Sequence, residues 1–285
     1  MILAMSFWGA SWASGKVIAN RVPPDVIVFW RLTLTFLSFL VMLLIFSRNK
    51  LKLSLGKILW ILLPSIFFVT YNKLFFEGLK IGLAGKGGVI VTTLNPLLTF
   101  LITIVFLKHK VSAAQIIGLF IGLAGGAILL EIWDVSFEEL LRSGNFYFAI
   151  SALAWALVTV LTQYALMRID FQTFCLYVYG TNTILSFFLA LPHNPAAVFQ
   201  QDHVFWLNML YISLGAISFA TSVYFYASKK LGSNRTSSFT FIVPFTAVTS
   251  CWIFLNETPT AYTIVGGLLA LIAIYIINFS SEKAE

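Results

Sequence analysis

Residues 94–130 read LNPLLTFLITIVFLKHKVSAAQIIGLFIGLAGGAILL, and residues 242–278 read IVPFTAVTSCWIFLNETPTAYTIVGGLLALIAIYIIN. The two stretches align without a gap at an offset of 148: Pro96 falls on Pro244, Phe106 and Leu107 on Phe254 and Leu255, Gly118 on Gly266. Farther upstream, Trp8 in SFWGAS lines up with Trp155 in ALAWAL. Similarity of a chain to itself at a fixed offset marks a duplication. Each aligned stretch carries the last two apolar segments of its copy, and three more precede them, so the repeated unit has five. Five is odd. The second copy must then enter a membrane from the side opposite to the first, an arrangement recurrent in transporters, with the substrate near the midplane between the halves.

Composition requires the membrane. Of the 285 residues, 59% are hydrophobic and 10% charged, and the mean hydropathy is +0.92. A soluble domain carries about 25% charged residues, so this chain lacks the polar surface to clothe a water-soluble globule. A bilayer core takes about 20 apolar residues of helix. Ten such segments can be laid down: Ile2 to Asn20, Asp25 to Phe46, Lys57 to Lys80, Gly87 to Leu107, Ser112 to Ile132, Asn145 to Met167, Phe171 to Leu191, Val204 to Ser228, Thr236 to Leu255 and Ala261 to Phe279. The expected fold is an all-α integral membrane protein, with ten transmembrane helices in two inverted five-helix repeats. The first repeat is placed at 1–132, a linker at 133–144 and the second repeat at 145–285.

Charge sets the expected orientation. With the N-terminus inside, eleven Lys and Arg fall in inside loops and ends, four in outside ones, and Lys16, Arg31 and Lys73 within helices. Positive charge gathers on the cytoplasmic side, so both termini are expected in the cytoplasm of a cell whose inner membrane holds the chain. The net charge of +7 is accounted for in this way and does not point to nucleic acid. Cys175 and Cys251, isolated in apolar stretches, read as packing residues rather than a metal site or a disulfide. The N-terminus has no basic region before its apolar run and reads as a retained first helix. A P-loop pattern is absent, so ATP is not expected to drive the protein directly, and no cofactor is implied.

With these residues in view, FWGASW, RVPPDVIVFWRLTLTF with its Arg31, LNPLLTFLITIVFL and FIVPFTAVTSCWIFLNETPT together resemble the two EamA repeats of the drug/metabolite transporter superfamily. The resemblance covers essentially the whole chain. It implies ten transmembrane helices with cytoplasmic ends, a central cavity lined by helices one to four and six to nine, helices five and ten at the periphery, and the movement of small metabolites, often amino acids or their relatives. One departure is that His109 stands where family members often carry an acidic residue, as the second repeat does with Glu257.

Ionisable groups inside a membrane are costly and by default face a cavity or a partner. Lys16, Arg31, Lys73 and Glu77 all fall in the outer halves of the first three helices, which predicts a shared polar chamber. Arg31, Thr35 and Ser38 form one helical stripe; Thr70, Lys73 and Glu77 a second; Thr92, Asn95, Thr99 and Thr103 a third. Three positive charges against one negative favour a ligand carboxylate or phosphate. Arg31 offers it a two-pronged contact and Lys16 a point charge. The alternatives are a Lys73–Glu77 pair four residues apart and snorkelling of Lys16 and Lys73 to the surface. Trp8 and Trp12 share a face with Lys16 and are candidates to stack on a substrate, as are Tyr71, Trp155, Tyr179 and Tyr224. Glu77 is the candidate proton carrier, its rival role a static pair with Lys73. Gly118, Gly122 and Gly126 form a small-residue ridge that would suit a homodimer; its counterpart, Gly266 and Ala270, favours packing within the chain and hence a monomer.

The expected function is a secondary transporter moving a small metabolite, an amino acid or related carboxylate-bearing compound, by alternating access, with the lipid bilayer as its other partner. The competing readings are a receptor or scaffold without transport, and a membrane-embedded enzyme. The last is disfavoured because all three His lie in loops and no acidic pair sits within a helix.

Overall fold

The computed structural model describes residues 1–46, 52–108, 111–129, 132–134, 136, 144–256, 258 and 261–279. Most of the linker placed at 133–144 lies outside the described residues, as do Arg48, Lys50, His109, Lys110, Arg142, Glu257 and Lys283. The rest is helix joined by short turns, with no strand among the described residues. The rods are α1 (Ile2–Ile18), α2 (Pro24–Phe46), α3 (Leu59–Ile81), α4 (Ala84–Val105), α5 (Ala113–Leu129), α6 (Asn145–Leu166), α7 (Phe171–Ala190), α8 (His203–Leu231), α9 (Ser233–Leu255) and α10 (Ala261–Phe279). Among the described residues seven are long and apolar enough to cross a membrane, α2, α3, α4 and α6 to α9; α5 and α10 are shorter apolar helices, and α1 has 17 residues.

Local chemistry sets the ends. Pro24 begins α2, where its missing N–H costs no hydrogen bond. Asp170 and Asp202 cap α7 and α8, each carboxylate accepting a backbone N–H at 2.9 Å, from Thr173 and Phe205 respectively. Gly232 turns the chain from α8 into α9 at φ +81°, a conformation that suits glycine. Two rods are not plain α-helix. Within α8, Tyr211–Thr221 is a π-helix. Within α9, Phe239–Ile242 is a 3₁₀ turn, ending just before Pro244, which has no N–H to continue the ladder.

The surface and interior are arranged as a bilayer demands. Leu44, Phe46, Phe106, Phe188, Leu207 and Phe254 are exposed, whereas Arg31, Thr35, Asn72, Asn95, Thr159 and Asn182 are buried. Polar side chains turn from lipid toward one another because hydrocarbon offers them no partner. This is a multi-pass membrane protein.

Packing contacts between rods come in matched pairs, each related to the other by a shift of five helices. α1 packs on α9 and α6 on α4; α1 on α8 and α6 on α3; α2 on α8 and α7 on α3. α2 meets α7, and α5 runs along α10. The small-residue ridge of α5 is used inside the chain: a Cβ on Gly118 would stand 2.6 Å from Ile277, one on Gly122 would run into the Phe241 ring, and one on Gly126 into Thr93. The tightest approach is between α1 and α9, where a Cβ on Gly9 would lie 2.6 Å from Thr246 Cβ and 2.8 Å from the Ala247 backbone nitrogen.

Candidate functional site

α1, α2, α3, α4, α6, α8 and α9 enclose a chamber at the centre of the molecule. Its free volume is about 30 Å³, room for water but not for a metabolite. Arg31, 4% exposed, is the one ionisable cation in its lining, and no carboxylate or imidazole joins it among the described residues. The guanidinium is held by neutral groups. Nη1 donates to Asn72 Oδ1 at 2.9 Å, Nε donates to the Ile212 carbonyl at 3.3 Å, and Cζ lies 5.4 Å from the Phe75 ring and 5.5 Å from that of Phe76.

The Ile212 carbonyl belongs to the π-helical stretch of α8, and that stretch receives side chains from two other helices. Thr35 donates to the Ser213 carbonyl at 3.1 Å, and Trp8 Nε1 to the Ala216 carbonyl at 2.8 Å. Such widened turns are frequent at functional sites. Aromatic rings make most of the remaining wall. Trp8 meets Trp155 edge to face at 5.0 Å, Tyr71 lies 4.7 Å from Trp155, and Trp12 packs on Phe75 at 4.6 Å. The Trp8 N–H is used on α8. Asn95, Thr92 and Thr240 complete the polar lining; the Thr240 hydroxyl donates to the Thr92 carbonyl at 3.0 Å and receives Asn95 Nδ2 at 3.5 Å.

Residues 1–130 and 142–279 match the EamA-like transporter family. The chain belongs to this family. Among relatives of this EamA-like transporter, a WAT1-related chloroplastic protein of Arabidopsis thaliana is 25% identical, covering 98% of this chain and 68% of its own length. The uncharacterised transporter YyaM of Bacillus subtilis is 27% identical over 96% of this chain and 91% of its own. A probable terminal-alkyne amino-acid exporter of Streptantibioticus cattleyicolor is 23% identical over 68% of this chain and 64% of its own. A crystal structure covers all of this chain and 98% of its own with a TM-score of 0.75, at 17% identity, a likeness of fold alone.

In this EamA-like transporter, six of the residues singled out from sequence line the chamber: Trp8, Trp12, Arg31, Tyr71, Asn95 and Trp155. Tyr224 stands directly behind, 4.8 Å from Trp8, with its hydroxyl 2.9 Å from that of Thr159. Tyr179 is packed away from the chamber on Phe39, with its hydroxyl 2.8 Å from Ser222. Like Tyr179, the other three depart from expectation. Lys16 does not line the chamber: its ammonium donates to the carbonyls of Leu79 and Gly82, both at 2.7 Å, satisfying the C-terminal end of α3, where free carbonyls favour a cation. Lys73 does not pair with Glu77: its Nζ lies 3.0 Å from Asp25 Oδ1 on α2. Glu77 instead lines a separate pocket with Asp25, Lys80 and His193. The stripe Thr70, Lys73, Glu77 is therefore not the chamber face of α3. Thr70 is exposed, and the face turned inward carries Phe68, Tyr71 and Asn72. Sequence reading missed Asn72, Thr221 and Thr240. Thr240 is the repeat counterpart of Thr92, so the offset of 148 would have found it.

Proposed function

We propose that the chain is a secondary transporter that carries a small carboxylate-bearing metabolite, an amino acid or close relative, through the central chamber by alternating access. The observation that carries the reading is Arg31: a buried guanidinium bound, among the described residues, to an amide, a carbonyl and ring faces. An unpaired buried cation is strongly disfavoured, and an arriving carboxylate compensates it with paired, charge-assisted hydrogen bonds. The amino-acid exporter among the relatives agrees with this class. The lining offers no acid–base pair for chemistry among the described residues, which favours a carrier over an enzyme. Ten crossings in two inverted halves, with cytoplasmic termini, are supported by packing contacts that recur after a shift of five helices and by the excess of Lys and Arg in the inside loops.

Counterflow in proteoliposomes against the proteinogenic amino acids tests the substrate class. At least one should exchange in the wild type, and Arg31→Met should abolish that exchange while leaving a folded protein. Exchange at the wild-type rate in Arg31→Met would remove the basis of the proposal. Orientation is tested separately, because the native thiols Cys175 and Cys251 are buried. A cysteine replacing the exposed Ala196 should react with an impermeant reagent applied outside intact cells, and one replacing the exposed Met167 should not. The reverse pattern would invert the topology.

A further inference from the structure

We propose that Asn72 sets the charge that the chamber selects, by holding the Arg31 guanidinium in place without neutralising it. The inference rests on the reading of Arg31 as the group that meets the substrate carboxylate. Asn72 is fully buried on the inward face of α3. Its Nδ2 donates to the Phe68 carbonyl at 2.8 Å, which turns Oδ1 toward α2, and Oδ1 receives Arg31 Nη1 at 2.9 Å. The Ile212 carbonyl receives Nε from the other side. A guanidinium has five N–H donors. These two bonds fix its plane from two helices and use one donor on each of two nitrogens. Nη2 has no protein hydrogen bond among the described residues.

Two other cations of the molecule do meet carboxylates. Arg21 is paired with the Asp202 carboxylate at 2.6 Å, and Lys73, next to Asn72 in the chain, is paired with Asp25. The cation in the chamber has an amide instead. An aspartate at position 72 has nearly the same shape and keeps an acceptor for Nη1, but it brings a full negative charge against the guanidinium. The lining would then carry no net charge. A carboxylate entering it would find its cation already compensated and would meet a second carboxylate, and like charges so close repel strongly. Asn72 is thus a positioning residue that acts through Arg31, and the difference between its amide and an acid decides whether anions or neutral molecules are favoured.

The test measures thermal stabilisation of the purified full-length protein by each proteinogenic amino acid and by its carboxamide, since a ligand that binds the native state stabilises it. The wild type should be stabilised by at least one acid more strongly than by the matching amide. Asn72→Asp should lose affinity for that acid by at least tenfold and bind the amide as well or better. Asn72→Ala, which removes the positioning but not the charge, should weaken both ligands while still preferring the acid. A purely structural role predicts parallel losses in Asn72→Asp and Asn72→Ala, and an unchanged acid preference in Asn72→Asp overturns the inference. Should Asn72→Asp not accumulate, Asn72→Ser, with a neutral acceptor, must keep the acid preference; its loss there also overturns the inference. A wild type that binds no acid, or an Arg31→Met variant that binds acids normally, overturns the proposed function itself and this inference with it.

Discussion

Trp8 and Trp155 occupy the same place in the two halves of the chain, and in the folded protein they touch, edge to face at 5.0 Å. Thr92 and Thr240 are likewise counterparts, and they share a hydrogen bond. Where a residue meets its own counterpart, the two copies face each other and the duplication builds the centre of the chamber symmetrically. One step outward the copies diverge. Asn95 stands opposite Val243 in the alignment, Gly9 opposite Ala156, and Lys16 opposite Gln163. Both members of the last pair tie their helix to the junction between the third and fourth rods of their half. Lys16 holds two carbonyls at the end of α3, and Gln163 Oε1 accepts the Ser233 N–H at 2.7 Å at the start of α9. The first half supplies the chamber's cation and most of its hydrogen-bonding groups; the second supplies Trp155, Thr221, Thr240 and apolar wall. A duplicated scaffold thus leaves chemistry free to collect on one side.

The sharpest way to break this comparison is to make the halves alike. Gly9→Ala gives α1 the residue that α6 has, but the backbone of α9 stands where the new Cβ must go. We expect a loss of about 3 kcal/mol, the upper end for overpacking, seen as a lower thermal midpoint in detergent. The reciprocal Ala156→Gly should cost only about 1 kcal/mol, the helix-propensity difference. Equal effects would show that the two contacts are equivalent. Next in size is Lys16→Met, which frees two carbonyls from a charged donor and should cost about 2 kcal/mol, against about 1 kcal/mol for Gln163→Met with its neutral bond. Lys16→Met should leave the order of preferred substrates unchanged in counterflow; a changed order would return Lys16 to the chamber.

Asn95→Val copies the second half into the first. It should reduce exchange several-fold with little change in stability, because it removes one hydrogen-bonding group, worth about 1 kcal/mol, and retains Arg31. The smallest effect belongs to the exposed tip of α8. Bonding to the Phe205 N–H, then to Arg21, holds the Asp202 carboxyl below its usual pKa. A depressed carboxyl contributes stability above its unfolded-state pKa, and this is lost as pH falls through the folded value. Asp202→Asn should therefore lower the thermal midpoint slightly at neutral pH and not at all in strong acid. A midpoint deficit that persists in acid would show that the side chain acts through something other than its charge.

Much of the molecule was legible beforehand, for reasons that also explain what was not. Apolar runs of helical length are unambiguous, and the duplication fixed which helices correspond. The place of Arg31, Trp8, Trp12 and Trp155 in the chamber lining was readable because a charge and polar-tipped rings inside apolar helices turn away from lipid. Lys16 and Lys73 misled because a charge in an apolar segment announces that it needs a partner without saying which kind: a ligand, a helix end or a carboxylate. Lys16 found a helix end and Lys73 found Asp25. On α3 the stripe through Thr70, Lys73 and Glu77 and the neighbouring face with Phe68, Tyr71 and Asn72 have equally good helical spacing, so periodicity could not choose between them. The π-helical stretch of α8 left no trace in apolar spacing, and with it went the carbonyls that receive Trp8, Arg31 and Thr35.

The three cations embedded in the first helices do not share a chamber, but they share a seam. Lys16 reaches from α1 to α3, and Lys73 and Arg31 join α3 to α2. The rods also interlock through glycine and large rings, as where Trp12 and Phe148 press on Gly87, and Trp12 on Phe75 adds such a contact to the α1–α3 line itself. Interlocked surfaces must part all at once. A seam held by long, flexible side chains can let go one bond at a time, each released donor finding water or substrate before the next is lost. The line between α3 and the α1–α2 pair is therefore built like a row of clasps, three separate cationic side chains each closing on its own partner.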